Sequence, residues 1–169
     1  MKGEAMRHTA HALVLSAMVA PAGLQAAGDV QAEITGTIRA SCTVTSPPLV
    51  AVGGIPLAEI SLPGSESGLA RYAKAFTMGT RCVGTTEYRL TFKAEHVTDS
   101  GCADTGTGAM AFCLYHGDRL INLTGREGGS IEGTPAHAEV GISVRPARGS
   151  QDAVAGEYSA SVTVTVEPQ

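Results

Sequence analysis

Cys42, Cys82, Cys102 and Cys113 are the side chains best suited to chemistry in this 169-residue sequence. A thiol can attack a substrate, ligate a metal or form a disulfide, and spacing separates these uses. No two of them form a Cys-x-x-Cys, which argues against a redox motif and against a structural zinc site. An even number of cysteines in an exported chain reads as disulfides, and three pairings are possible. Cys42–Cys82 with Cys102–Cys113 is preferred, because each bridge would join segments expected to neighbour one another in the sheets. The chain-entropy model gives such bridges about 3–4 kcal/mol each.

The other reactive residue types form no site. His96, His116 and His137 are scattered, without the i, i+4 spacing of metal ligands on a helix. Asp99, Asp104, Asp118 and Glu127 fall in polar loops, and a solvated loop explains them. The stretch Asp104-Thr105-Gly106-Thr107-Gly108 is too poor in oxygen ligands for a calcium loop. Asn122-Leu123-Thr124 fits a glycosylation acceptor, a signal that matters mainly in a eukaryotic secretory pathway. There is no Gly-x-Ser-x-Gly, phosphate loop or dinucleotide fingerprint. No catalytic residue, metal or cofactor is expected, and the chain does not read as an enzyme.

Export itself is read from the first residues. Lys2, Arg7, His8 and His11 precede the apolar run 12–20; Pro21 and Gly23 break it, and Leu24-Gln25-Ala26 offers small residues for cleavage. This is the order of a secretory signal peptide, and the apolar run is too short to span a bilayer. Residues 1–26 are assigned to it, with the mature chain beginning at Ala27. A formal net charge of −4 and the absence of Trp argue against a nucleic-acid partner. The 21 glycines, with many short alternating runs, suit a β-protein rich in turns.

From Ala27 the dominant period is two. Val30, Ala32, Ile34, Gly36 and Ile38 fall on one side of an extended strand, opposite Gln31, Glu33, Thr35, Thr37 and Arg39. Cys42 and Val44 continue the inward set until Pro47-Pro48 bends the chain. A weak run over 50–60 leads to a polar loop, 63–68. A second strand is expected over 71–82, and a third where Tyr88, Leu90 and Phe92 alternate with Arg89, Thr91 and Lys93. Residues 98–108 read as a loop, 110–115 and 119–123 as strands, and 125–135 as a glycine-rich excursion. Two strands close the chain. One turns Val140, Ile142 and Val144 inward; the other alternates Tyr158, Ala160, Val162, Val164 and Val166 with Ser159, Ser161, Thr163 and Thr165. Roughly seven or eight short strands without a convincing helix point to an all-β sandwich in one domain.

Two of these segments carry a resemblance. An alternating N-terminal strand runs into a cysteine, Ala32-Glu33-Ile34-Thr35-Gly36-Thr37-Ile38-Arg39-Ala40-Ser41-Cys42, and a strand of alternating valines, 155–166, ends the protein. Together they resemble the subunits of chaperone–usher pili (fimbriae), over essentially the whole mature chain. The second cysteine, about forty residues on at the end of a strand, resembles that family's usual disulfide. Segment 110–120, with Leu114-Tyr115 leading into Gly117-Asp118, is similar to spore-coat-U-like pilins of the archaic branch.

The resemblance implies an incomplete immunoglobulin-like β-sandwich, completed by a donor strand from another subunit. Residues 27–38 would be the donor extension, with Val30, Ala32, Ile34 and Gly36 entering a neighbour's groove, and 39–169 the sandwich. The groove would be walled by the final strand, at Tyr158, Ala160, Val162, Val164 and Val166. Main-chain bonds give such strand addition its affinity, and alternate side chains give its register. The implied partners are a periplasmic chaperone, an outer-membrane usher, other pilus subunits and, for cell adhesion, a host receptor. The implied destination is the cell surface, through the periplasm. Two features depart from the pattern: a short extension, and an end at Glu167-Pro168-Gln169 where many members carry an aromatic. The competing reading folds 30–38 back as an edge strand of its own domain. That chain would be a self-complete secreted sandwich, binding a host ligand or sugar as a monomer.

Overall fold

The computed structural model describes residues 35–134 and 137–169. The expected signal segment, and the positions Val30, Ala32 and Ile34, lie outside the described residues. Thr35 and Gly36 are exposed and in no strand, and a compact unit spans Thr37–Gln169.

Alternation of β-branched and aromatic residues with polar ones resolves into nine strands among the described residues. They are β1 (Ser41–Thr45), β2 (Lys74–Val83), β3 (Tyr88–Ala94), β4 (Ala103–Asp104), β5 (Met110–His116), β6 (Arg119–Leu120), β7 (Gly129–Gly133), β8 (His137–Arg148) and β9 (Val162–Pro168). One antiparallel sheet runs β1-β2-β8-β5-β4, with β6 also on β5; the other runs β7-β3-β9. The two layers bury Met78 and Cys82 of β2, Leu114 of β5, and Val140 and Ile142 of β8 against Tyr88, Leu90 and Phe92 of β3. Val144 is half-buried near the end of the same inward row. Among the described residues no helix is long and apolar enough to cross a membrane.

Both disulfides tie neighbouring backbone. Cys42 and Cys82 stand opposite each other in the β1–β2 ladder and are bonded, which pins the register of the first strand. Cys102, just before β4, is bonded to Cys113 of β5.

The structure corrects several expected boundaries. The second strand begins at Lys74, because residues Ala70–Tyr72 form a 3-10 turn. Only Arg119–Leu120 of 119–123 pairs, and the expected glycine-rich excursion contains a strand, β7. Glycine allows that strand its place. A Cβ on Gly133 would collide with the Tyr88 ring, and one on Gly129 with Ile121 and the Asn122 carbonyl. Among the described residues the N-terminal alternation forms a ladder from Ser41 onward.

The expected polar loop is a strap. A one-turn helix, α1 (Leu57–Ile60), and the 3-10 turns Ser65–Ser67 and Ala70–Tyr72 cover the outer face of the larger sheet. Leu69 N–H donates to Pro146 O at 2.8 Å, and Tyr115 Oη–H to Ser67 O at 2.6 Å. The Arg145 guanidinium lies 3.9 Å over the Tyr115 ring. Beneath the strap Cys102, Ala111, Cys113, Tyr115 and Ala147 form a second core. That is why β5 is buried on both faces. Pro146 fits inside β8 because β2 has already ended beside it, so only its carbonyl needs a partner there, and Leu69 supplies one.

Gly68 is where the strap presses closest. Its φ is +94°, and an added Cβ would stand 2.9 Å from the Arg145 Cβ. Gly64 also has positive φ, at +87°, but nothing lies within 4 Å of its Cβ position. Gly68→Ala should therefore cost about 2–3 kcal/mol, from backbone strain plus overpacking. Gly64→Ala, with strain alone, should cost about 1 kcal/mol. Urea midpoints of the two variants measure the difference, and equal losses would mean that the strap is not pressed onto the sheet.

Candidate strand-acceptor groove

Strands β1 and β9 end their respective sheets, so each pairs along one edge only among the described residues. β1 pairs β2, and β9 pairs β3 with Val162 opposite Ala94, Val164 opposite Phe92 and Val166 opposite Leu90. Their Cα traces come within 8 Å of each other, yet no ladder joins them.

Burial falls off from the centre of the core toward this seam. Met78, Leu90 and Phe92 are 0% exposed and Ile142 is 1% exposed. Cys42 and Val44 of β1, Phe76 of β2, and Ala160, Val162, Val164 and Val166 at the final strand point at that same core but are only half-buried. In a closed sandwich inward side chains are covered from both layers. Here this inward row is only half-covered, and it is apolar.

The backbone of β9 can be assigned atom by atom. Gln169 N–H donates to Glu87 O at 3.1 Å, in line with the β3–β9 register. Antiparallel ladders turn alternate residues toward the partner. Glu167, Thr165 and Thr163 therefore turn their N–H and C=O groups to β3, while Val162, Val164, Val166 and Pro168 turn theirs to the open edge. Pro168 sits in β9 without loss of a β3 bond because its nitrogen faces away from β3.

Tyr158 and Ala160 require a correction. The ladder starts at Val162, because β3 ends at its partner Ala94, so these two precede the strand. Their half-burial continues the alternation, and Ala160 packs on the core. Tyr158 Oη instead donates to Val154 O at 2.7 Å and accepts from Val154 N–H at 3.2 Å, closing a loop. Phe76 is a half-buried inward residue that the sequence reading did not single out. Its signal was present, since it alternates with Met78, Thr80 and Cys82 along β2. Among the proposed donor positions, only Gly36 lies within the described residues, and Ile38 on the same alternation is 99% exposed.

No ionisable side chain is among these groove residues, and among the described residues no group of His, Cys, Asp and Glu could hold a metal. Asp104 instead accepts the N–H groups of Gly106 and Gly108 at 2.6 and 3.2 Å, which shapes its loop. Asn122 likewise accepts from Thr124. Tyr72 lies on the strap. Its hydrogen bond to Glu59 raises its pKa above the usual phenol value, with burial adding to the rise.

No family model matches the sequence, and no curated protein matches it. Solved structures do. The P pilus rod subunit PapA superposes with a TM-score of 0.59 at 14% identity, covering 76% of this chain and 99% of that one. A chaperone–usher pilus rod superposes with a TM-score of 0.53 at 16% identity, covering 85% of this chain and 97% of that one. The fold is the all-β, immunoglobulin-like sandwich found in pilus subunits.

Proposed function

We propose that this chain is a structural subunit of a surface pilus, assembled by strand addition and contributing to cell adhesion. The observation that carries the reading is the half-exposed apolar seam between β1 and β9, at edges that no other described strand pairs. An extended segment laid there would hydrogen-bond the open edge of β9 and fill the gap in the core, the two contributions that strand addition combines. Residues 27–38 of another copy are the proposed donor, with Val30, Ala32, Ile34 and Gly36 turned into the groove. Ile38 extends that set, and its full exposure suits a side chain whose burial is intermolecular. Before assembly a periplasmic chaperone covers the seam and an outer-membrane usher exchanges it for the next subunit, which delivers the chain to the cell surface.

The fold neighbours are a pilus rod subunit and a chaperone–usher rod, and the reading assigns this chain the same kind of work. Membership of the spore-coat-U-like branch rests on segment 110–120 alone, which forms the hairpin of β5 and β6.

Co-expression with a periplasmic pilus chaperone tests the proposal. Size analysis should show a one-to-one complex, and excess peptide of residues 27–38 should release the chaperone as it takes the groove. A chain that stays monomeric beside the chaperone and ignores the peptide would be the self-complete binding module instead.

A further inference from the structure

A cavity of about 480 Å³ opens at the end of the smaller sheet where β3 begins. It is lined by Glu87, Tyr88, Glu132, Gly133, Thr134 and Gln169. Its size falls in the range of small-molecule sites. None of the six is among the half-buried residues of the β1–β9 seam, so nothing in this cavity depends on strand addition.

The floor of the cavity is Tyr88. Only 2% of this residue is exposed, yet among the described residues its hydroxyl makes no hydrogen bond. A buried phenol ordinarily finds a partner. Gly133 stands opposite Tyr88 in the β3–β7 ladder, and a Cβ there would meet the hydroxyl. The missing side chain leaves the hydroxyl to the cavity.

The other lining groups are acceptors. Glu87 immediately precedes Tyr88, and its carboxylate has no ion pair among the described residues. Glu132 takes two bonds from Arg89 on one oxygen, Oε1, at 2.7 and 3.2 Å, and Oε2 remains without a partner among the described residues. Gln169 donates its side-chain amide to Pro168 O at 3.2 Å, which leaves its amide oxygen to accept. No Lys, Arg or His is in the lining. Carboxylates only accept, and the hydroxyls of Tyr88 and Thr134 can accept as well as donate.

We propose that this cavity binds an aliphatic primary amine, its ammonium held by Glu87, Glu132 and the Tyr88 hydroxyl. An ammonium has three donors and no acceptor, which complements a lining of acceptors with two carboxylates. A neutral polyol would bring acceptors of its own and would forgo the attraction of charge. Among the described residues no group of His, Cys, Asp and Glu could hold a metal ion in its place. Free diamines and protein lysine side chains present the same head on an apolar stem, and the test separates them.

The full mature chain is titrated with putrescine, with the amide of Nα-acetyl-lysine and with uncharged butanediol, and backbone amide shifts are followed. Saturable shifts are expected at Tyr88, Gly133 and Thr134 with the amines, and none with butanediol at the same concentration. Tyr88→Phe should weaken amine binding about tenfold, as for one hydrogen bond to a charged group. Glu87→Gln, at an exposed position, should weaken it about threefold, and Glu157→Gln, exposed and outside the lining, should leave it unchanged. Tighter binding of putrescine would support the site as one for a free diamine, and tighter binding of the lysine amide as one for a partner's lysine. Butanediol binding as well as putrescine would overturn the choice of an ammonium. Amine shifts unchanged in both Tyr88→Phe and Glu87→Gln would reduce the effect to diffuse attraction by a chain of net charge −4, and the absence of shifts at the three residues would overturn the site.

Discussion

Val164→Asp should abolish recovery of a chaperone-bound subunit, while Thr163→Asp should leave the yield near that of wild type. The two positions are adjacent, but the strand sends them to opposite faces. Val164 stands opposite Phe92, packs on the core and turns its backbone to the open edge. In the free chain a carboxylate there still reaches water, because the flank is open. Once a partner strand covers the seam, the same carboxylate is sealed among Cys42, Val44, Phe76 and the neighbouring valines without a charged partner. Burying an unpaired charge in that way costs roughly several kcal/mol, enough to remove most of the affinity of a typical complex. Thr163 is exposed and stands opposite Lys93. A carboxylate there gains a cross-strand cation, a mildly favourable pair. The urea midpoint of the free chain separates binding from folding, and it should fall much less for Val164→Asp than the yield does. Equal yields from wild type and both variants would show that β9 is not the pairing strand.

The parts of this architecture that period-two alternation could specify are those where both neighbours are present. Tyr88, Leu90 and Phe92 were legible because β3 lies between β7 and β9 and buries every second residue. Val140 and Ile142 were legible for the same reason. The cysteine pairing followed from adjacency of the expected strands, and Cys42 does stand opposite Cys82. Alternation states which way a side chain points, but not whether a strand lies beside it. For that reason the N-terminal run looked continuous from Val30 to Val44, although among the described residues its ladder starts at Ser41, and the final run looked paired from Tyr158, although β3 ends opposite Val162.

Other elements were hidden by composition. β7 is Gly-Ser-Ile-Glu-Gly, a poor strand by propensity, and it pairs because only glycine can lie so close to Tyr88 and Ile121. The strap was hidden by its polarity. Ser65 is buried not for its side chain's apolarity but because its hydroxyl bonds the carbonyls of Ile60 and Leu62. The half-buried seam became visible only through graded burial, since the sequence of Val162, Val164 and Val166 would be the same in a closed sheet.

Ile38→Asp should leave the folding stability of the free subunit unchanged and yet prevent it from donating to a fibre. At 99% exposure Ile38 buries nothing within its own sandwich, and a substitution at such a site ordinarily moves stability by about 0.5 kcal/mol or less. In a neighbour's groove the same side chain would be one of the large apolar residues of the donor, alongside Val30 and Ile34. Each is worth about 1.5–3 kcal/mol when fully buried, and a carboxylate in that place adds the penalty of an unpaired buried charge. Ile34→Asp should behave in the same way, and Thr35→Asp, on the opposite side of the strand, should be mild. Deleting residues 27–36 should give a subunit that still folds with a chaperone but cannot join another as donor. Its own groove would remain, so added peptide of residues 27–38 should raise its melting temperature by mass action. The peptide carrying Ile34→Asp should fail to do so. If the deletion variant is instead unfolded even with chaperone, the segment completes its own sheet, and the fibre gives way to the monomeric binding module. The two readings thus part on a single quantity: whether the burial of Val30, Ile34 and Ile38 depends on subunit concentration.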